Sequence, residues 1–270
     1  GKGIRTSPRD AMIAEATAPE IRGRAFGVHR AADHVGAIVG PLSAAALIGA
    51  GLSVRGVFWL AVIPGALAVV SAGLAVADVR KSEVRGKRLE GTVSPHLSPL
   101  TSDLALSPDY SFAPLVLVLA LAAFFRAPET LLILRAQDLG VSPAAIPLLW
   151  AALHVVRSSF SIPGGILVDR WGARRTLALG WLVYAGLAWS FARAATAGQA
   201  WAVFLAFGLV AAFTESPERT LVAKHAPGGR HGRGFGWYNG STSIVALPGA
   251  ALFGWIYQVR GGPFALGLSA

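Results

Sequence analysis

Apolar runs of about twenty residues, separated by polar connectors, recur along the whole chain. A helix needs about 20 residues to cross a hydrocarbon core about 30 Å thick. Such runs predict spans near 27–51, 56–77, 112–134, 143–167, 175–194, 200–223 and 236–258, with part-spans at 1–17 and 263–270. The expected fold class is an all-α membrane protein. Composition agrees: 54% of the 270 residues are hydrophobic and 14% are charged, which is too apolar for a soluble domain of ordinary surface-to-volume ratio. Gly36, Gly40, Pro41, Pro128, Pro163, Gly164, Gly165 and Pro248 fall inside the runs. A bilayer tolerates them because neighbouring helices satisfy the freed backbone groups and small residues permit close contact.

The formal charge of +10 would suggest nucleic acid if Lys and Arg shared one face with aromatics between them. They stand in short connectors instead, so no nucleic-acid partner is expected. One set of alternate connectors is rich in them: Arg22 and Arg24; Arg80, Lys81, Arg85, Lys87 and Arg88; Arg170, Arg174 and Arg175; Lys224, Arg230 and Arg233. The other set carries Arg55, Arg135, Arg193 and Arg260, one each. Basic residues resist translocation, so the first set is expected on the cytoplasmic side. Residues 79–111 read as a flexible cytoplasmic linker between a first segment, 1–78, and a second, 112–270. With no Cys, a disulfide framework and a thiolate metal site are excluded. Gly1 in place of Met, no signal peptide and an apolar run that stops at Ala270 suggest a chain cut at both ends.

An internal repeat adds organisation. Ser7-Pro8-Arg9-Asp10-Ala11-Met12-Ile13-Ala14 recurs as Ser216-Pro217-Glu218-Arg219-Thr220-Leu221-Val222-Ala223, and Gly23-Arg24-Ala25-Phe26-Gly27 as Gly232-Arg233-Gly234-Phe235-Gly236, at one offset of 209 residues. Both copies leave a helix, cross a basic connector and enter the next helix, so the repeat is parallel. Residues 1–61 then correspond to 210–270. Parallel halves are a recurring transporter architecture, with the substrate site between them; an old duplication without transport is the other reading.

Gly165-Ile166-Leu167-Val168-Asp169-Arg170-Trp171-Gly172-Ala173-Arg174-Arg175 resembles the G-x-x-x-D-R-x-G-x-R-R connector signature of major facilitator superfamily transporters. The resemblance covers the whole chain and implies two parallel six-helix halves, here running from late span four to early span twelve. It also implies a gating motif of Gly165, Asp169, Arg170, Gly172, Arg174 and Arg175, whose charges can latch one conformation. A positive-inside connector without gating is the plainer reading. Gly1 through Gly27 looks like a bacterial branch whose members are mostly unassigned or proposed as efflux proteins, which implies a monomer in the inner membrane. Gly36-Ala-Ile-Val-Gly40-Pro41 is similar to the G-x-x-x-G-P core of exporting antiporters, although Leu42-Ser43 replaces the usual Gly-Gly. Small residues for helix packing beside a Pro kink explain it equally.

An ionisable side chain at bilayer depth costs at least about 2.5–3.5 kcal/mol, which makes it a functional candidate. Three clusters qualify: Arg5, Arg9 and Asp10; Arg126 and Glu129; Glu215, Glu218 and Arg219. The resemblance places them on spans four, seven and ten, which line the central cavity. Spacing pairs Arg126 with Glu129 and Glu215 with Arg219 on shared helix faces. Arg9-Asp10 is inverted in the second copy as Glu218-Arg219, so opposite charges of the two copies can meet. The cluster either lines a substrate and proton path or fixes helix packing as buried ion pairs. Glu218 and Glu129 are the candidate proton carriers. His29, Arg30, Asp33 and His34 are expected to pair near the surface, and His154 and Arg157 rank second with them. No phosphate-cradling loop, HExxH or metal spacing is present, so no enzyme, cofactor or metal is expected. The functional expectation is a secondary transporter of a small solute, proton-coupled and tilted toward export; the alternative is a non-transporting membrane sensor or partner-binding protein on the same fold.

Overall fold

The computed structural model describes residues 2–71, 73 and 112–270, with side chains from residue 6 onward. The expected linker at 79–111, residues 72 and 74–78, and the side chain of Arg5 lie outside the described residues. Every regular element among the described residues is helical: α1 (Lys2–Ala16), α2 (Arg22–Gly49), α3 (Val54–Leu60), α4 (Phe112–Phe125), α5 (Glu129–Asp138), α6 (Ile146–Trp171), α7 (Ala173–Arg193), α8 (Ala197–His225), α9 (His231–Arg260) and α10 (Gly262–Ser269). Among the described residues, six stretches are long and apolar enough to cross a membrane: Pro19–Gly49, Val54–Ser71, Phe112–Asp138, Pro143–Trp171, Ala197–His225 and His231–Arg260. The span expected at 175–194 is the helix α7, less apolar than these six.

The chain divides into two compact units, Gly1–Pro41 with Pro108–Ala270, and Leu42–Ser107. In the second unit the end of α2 leads to α3, whose start is capped by Ser53 Oγ accepting from the Gly56 N–H at 3.1 Å. In the first unit α8 packs against α6 and α7, and α9 packs against α1 and α4. Leu149, Leu153, Phe191, Phe204 and Phe207 fill the first of these groups. Phe26, Phe112, Leu119, Val222 and Phe235 fill the second. Lipid is as apolar as these side chains, so close packing rather than escape from water holds such helices together.

Glycine makes that closeness possible around α8. A Cβ on Gly164 of α6 would meet the Ala212 carbonyl carbon at 2.8 Å, and one on Gly180 of α7 would meet the Phe213 oxygen at 2.6 Å. Adjacent residues of α8 are therefore gripped from two sides.

The expected continuous span 112–134 is instead two helices. Pro128 cannot donate a backbone hydrogen bond and drives the preceding residue out of the helical region, so α4 ends at Phe125 and α5 starts at Glu129. The Ala127 N–H freed by the break donates to Tyr184 Oη at 2.8 Å. Between α6 and α7 the chain turns at Gly172, whose φ of +90° is open to glycine without strain.

Gly180→Ala is expected to cost about 1–3 kcal/mol through overpacking, whereas Gly186→Ala, with open space at its Cβ, should be neutral or slightly stabilising. Thermal unfolding in detergent checks both; equal melting temperatures for the two variants would refute the grip.

Candidate functional site

Charged residues of α1, α2 and α8 converge on Asp10, which is fully buried. Its Oδ2 accepts from Arg219 Nε at 3.0 Å, its Oδ1 accepts from Arg9 Nη2 at 3.3 Å, and Arg30 Nη2 lies 3.9 Å away. Arg30 also donates to Asp33 at 3.1 Å and stands 3.5 Å from Glu215. Asp33 closes the ring with Arg9 at 3.6 Å. Arg219 Nη1 donates to the Glu215 backbone carbonyl at 2.8 Å. Thus Glu215 and Arg219 do not pair through their side chains as the i,i+4 spacing suggests. Each is drawn to a stronger partner on another helix.

The residues that meet here are equivalents in the internal repeat. Asp10 and Arg219 are 209 residues apart, as are Phe26 and Phe235, whose rings meet edge to face at 6.1 Å. A residue can touch its own repeat equivalent only beside the axis relating the copies, so these two contacts mark that axis. The inversion of charge order between the copies is what allows the Asp10–Arg219 pair, since two identical residues there would repel.

Glu218, next to this axis, faces elsewhere. It accepts from Tyr238 Oη at 2.6 Å and lies 3.6 Å from Arg126 Nη2. Together they line a cavity of about 280 Å³, whose remaining walls include Leu119, Ala123, Thr242, Ser243 and Ala246. Arg126 sits at the break before Pro128, with its guanidinium over the Tyr184 ring at 5.8 Å. That break undoes the expected Arg126–Glu129 pair, since the i,i+3 rule holds only within a continuous helix. Glu129 instead accepts a bidentate contact from Arg157.

A third group joins α2 to α6. Asp169 accepts from the backbone N–H groups of Gly23 at 2.8 Å and Arg24 at 3.0 Å, placing negative charge at the start of α2, where unpaired N–H groups and the helix dipole favour it. The Arg24 guanidinium is 4.0 Å away. Asp169 thus pairs mainly with backbone rather than with arginine side chains. A Cβ on Gly23 would meet Gly165 O at 2.6 Å, and one on Gly27 would meet Ser161 O at 2.5 Å, so the two helices touch backbone to backbone.

A family model for the Major Facilitator Superfamily matches residues 1–250. The chain belongs to that superfamily. It is 26% identical over 266 residues to an uncharacterized MFS-type transporter of Methanocaldococcus jannaschii, covering 96% of this chain and 63% of the relative. An uncharacterized protein of Mycobacterium tuberculosis is 25% identical over 271 residues, covering 96% of this chain and 62% of that protein. The chain thus spans just over three fifths of the length of these relatives. Multidrug resistance protein MdtH of Klebsiella pneumoniae is 32% identical over 121 residues, 40% of this chain and 29% of that protein. No solved structure matches the chain. Superfamily membership and the six apolar stretches make it a multi-pass membrane protein.

Within this superfamily chain the named candidates separate into groups. Arg9, Asp10, Glu215 and Arg219 share the axial network; Arg126 and Glu218 share the cavity; Glu129 stands with Arg157. Arg170, Arg174 and Arg175 are exposed beyond Asp169, with Arg174 Nη2 3.4 Å from His225 Nε2. Gly36 and Gly40 have nothing within 4 Å of a built Cβ among the described residues, and Pro41 continues inside α2. The expectation that Arg30 and His34 pair near the surface does not hold. Helix α2 begins at Arg22, five residues before the apolar run, so the two lie about 12 and 18 Å along it and are largely buried. Tyr238 escaped the sequence reading because an aromatic in an apolar run carries no signal of its own. Its one clue is its place in the repeat, opposite His29.

Asp10→Asn should destabilise the protein by about 3–5 kcal/mol, the cost of leaving a buried charge unpaired. Exchanging the two residues, Asp10→Arg with Arg219→Asp, should recover part of that loss despite Arg9 and Arg30 nearby. Thermal unfolding of both single variants and the double variant tests this; a double variant as unstable as the singles combined would exclude direct pairing.

Proposed function

We propose that the full-length protein is a secondary transporter that moves a small solute across the membrane by alternating access, coupled to protons and tilted toward export. The observation that carries this reading is the axial charge network beside the Arg126–Glu218 cavity. Burying ionised groups at bilayer depth is costly, and packing alone would be served as well by apolar residues of similar volume. A network at the axis between repeat copies can rearrange as the copies rock against each other. Superfamily membership supports transport, and the partial Gly36–Pro41 motif leans toward export, as does a relative named for multidrug resistance.

In this reading the adjacent Arg126 and Glu218 hold the charged or polar end of a small polar or amphipathic solute in the cavity, and Glu218, flanked by Arg126 and Tyr238, exchanges a proton during the cycle. Arg5, Arg9, Asp10, Glu129, Glu215 and Arg219 belong to the same path, and Asp169 with its motif latches the cytoplasmic ends. The positive-inside bias puts Asp169 and the linker 79–111 on the cytoplasmic side, in a bacterial inner membrane, with the protein acting as a monomer.

Flux assays of the full-length protein in proteoliposomes test this, with a zwitterionic amino acid, a small organic anion and a lipophilic cation as probes. One of the three should move faster as a pH gradient is imposed, and Glu218→Gln should lower that coupled flux at least tenfold at normal expression. Undiminished coupled flux in Glu218→Gln would remove its role, and flux indifferent to the gradient would remove proton coupling. No flux of any probe would favour a sensor on the same fold.

A further inference from the structure

The contact between α2 and α6 runs well beyond Asp169. Along α2, Gly23, Gly27, Ala31 and His34 meet in turn Asp169, Ser161, Ser158 and His154, in descending order on α6, so the two helices lie antiparallel with one continuous seam. Ser158 Oγ donates to the Ala31 carbonyl at 3.1 Å. At the deep end the Nδ1 atoms of His34 and His154 are 3.2 Å apart, and both residues are only 7% exposed. The Trp150 ring covers His154 at 5.1 Å between centroids.

Two Nδ1 atoms can share a hydrogen bond only if one carries a proton and the other a lone pair. The contact therefore fits a neutral pair of opposite tautomers, and a proton on each Nδ1 would break it. The surroundings weigh against even one extra proton. Arg30 and Asp33 face the pair from α2, Arg157 from α6, Glu215 from α8 and Glu129 from α5; Arg9 and Asp10 of α1 and Arg219 of α8 stand behind them. These four guanidiniums and four carboxylates balance while both imidazoles, and that of His29, 3.5 Å from Asp33 on α2, are neutral. Glu215, 3.8 Å from His34 Nε2, is already engaged by Arg30, and Glu129 by Arg157. An added proton is an unmatched charge between Arg30 and Arg157, in a place where low dielectric magnifies repulsion. Letting the helices part and water reach the imidazolium relieves it.

We propose that His34 and His154 form a proton-binding site in the α2–α6 seam: sharing a proton between their Nδ1 atoms they bond the seam shut, and protonation of both rings breaks that bond and opens it. This site is separate from Glu218. Its use in solute movement rests on the transporter reading, but seam opening can be measured without any solute. With the seam open and water at the rings, imidazole regains its ordinary titration range near neutral pH, so the open form is the one that holds the protons.

The test uses the full-length protein in lipid nanodiscs, with spin labels on Glu20→Cys and Trp171→Cys, exposed positions at the mouth of the seam; these 270 residues contain no Cys of their own. Pulsed-EPR distances should shift from short to long between pH 8 and pH 5, with the ratio of open to closed changing by more than tenfold and up to about a hundredfold per pH unit, as two protons require. His34→Gln and His154→Gln should each flatten that dependence, and His29→Gln and His231→Gln should retain it. A distance indifferent to pH in the unaltered seam, or a response that survives in both pair variants, overturns the proposal. If a pair variant does not fold, histidine-selective 15N spectra of the protein with its native histidines decide. Both rings becoming protonated together at the pH of opening supports the site, and two imidazoles titrating independently of each other and of the opening refute it. Coupled flux with a pH-indifferent seam overturns this site and leaves transport standing; a pH-gated seam without flux of any probe does the reverse.

Discussion

A carboxylate sealed between helices stays ionised only if cations reach it at hydrogen-bond distance, and three arginines approach Asp10 from three helices: Arg9 of its own helix, Arg30 of α2 and Arg219 of α8. The relative positions of α1, α2 and α8 are therefore tied to one another by charge as well as by packing. Packing in a membrane is weakly discriminating because lipid competes for the same apolar surfaces. Ion pairs at this depth are more exacting, since a displaced helix leaves an uncompensated charge behind it. Movement of these helices requires the partners to be exchanged rather than merely separated.

The repeat gives that network its location but not its symmetry. Asp10 meets Arg219 and Phe26 meets Phe235, each pair equivalent in the duplication, so an axis passes through both contacts. Arg9 and Glu218 are also equivalents, yet they part company. Arg9 turns to Asp10 and Asp33, while Glu218 turns to Tyr238 and Arg126. At the positions equivalent to Arg30 and His29 the second copy carries Asn239 and Tyr238. Asn239 donates to Ser7 Oγ at 3.0 Å instead of joining the charge network. The second copy's carboxylate is thereby free to face a cavity, a difference that arose by substitution within a duplicated framework.

Much of this was legible in the chain. The apolar runs located the helices, and the offset of 209 with its inverted charges foretold the Asp10–Arg219 meeting. What could not be read were contacts that depend on where a helix starts or breaks. Pairing Arg126 with Glu129 assumed one helix, and Pro128 made two, sending the side chains to different partners. Ranking His34 as superficial assumed that α2 began with its apolar run at 27. Residues 22–25 are charged or small, a composition without hydrophobic signal, but Asp169 binds the N–H groups of Gly23 and Arg24 and lets the helix begin there. The tertiary partner decided the boundary, and the boundary decided the depth of His34.

That same dependence explains why the seam between α2 and α6 is uneven along its length. Its outer part is held by glycine backbones in contact and by Asp169 on two N–H groups, and its middle by a serine hydroxyl on a carbonyl. None of the backbone and hydroxyl contacts changes charge between pH 5 and pH 8. Only at the deep end does a contact depend on which nitrogen carries a proton. A seam fastened throughout by ion pairs would respond to pH everywhere and weakly, whereas one fastened by close backbones responds where its imidazoles are. Gly23 and Gly27 hold the helices within van der Waals reach at the outer end of the seam, and His34 and His154 are buried at its deep end. Their repulsion on protonation must be relieved by moving the helices, which converts a local change of charge into a displacement of the whole seam.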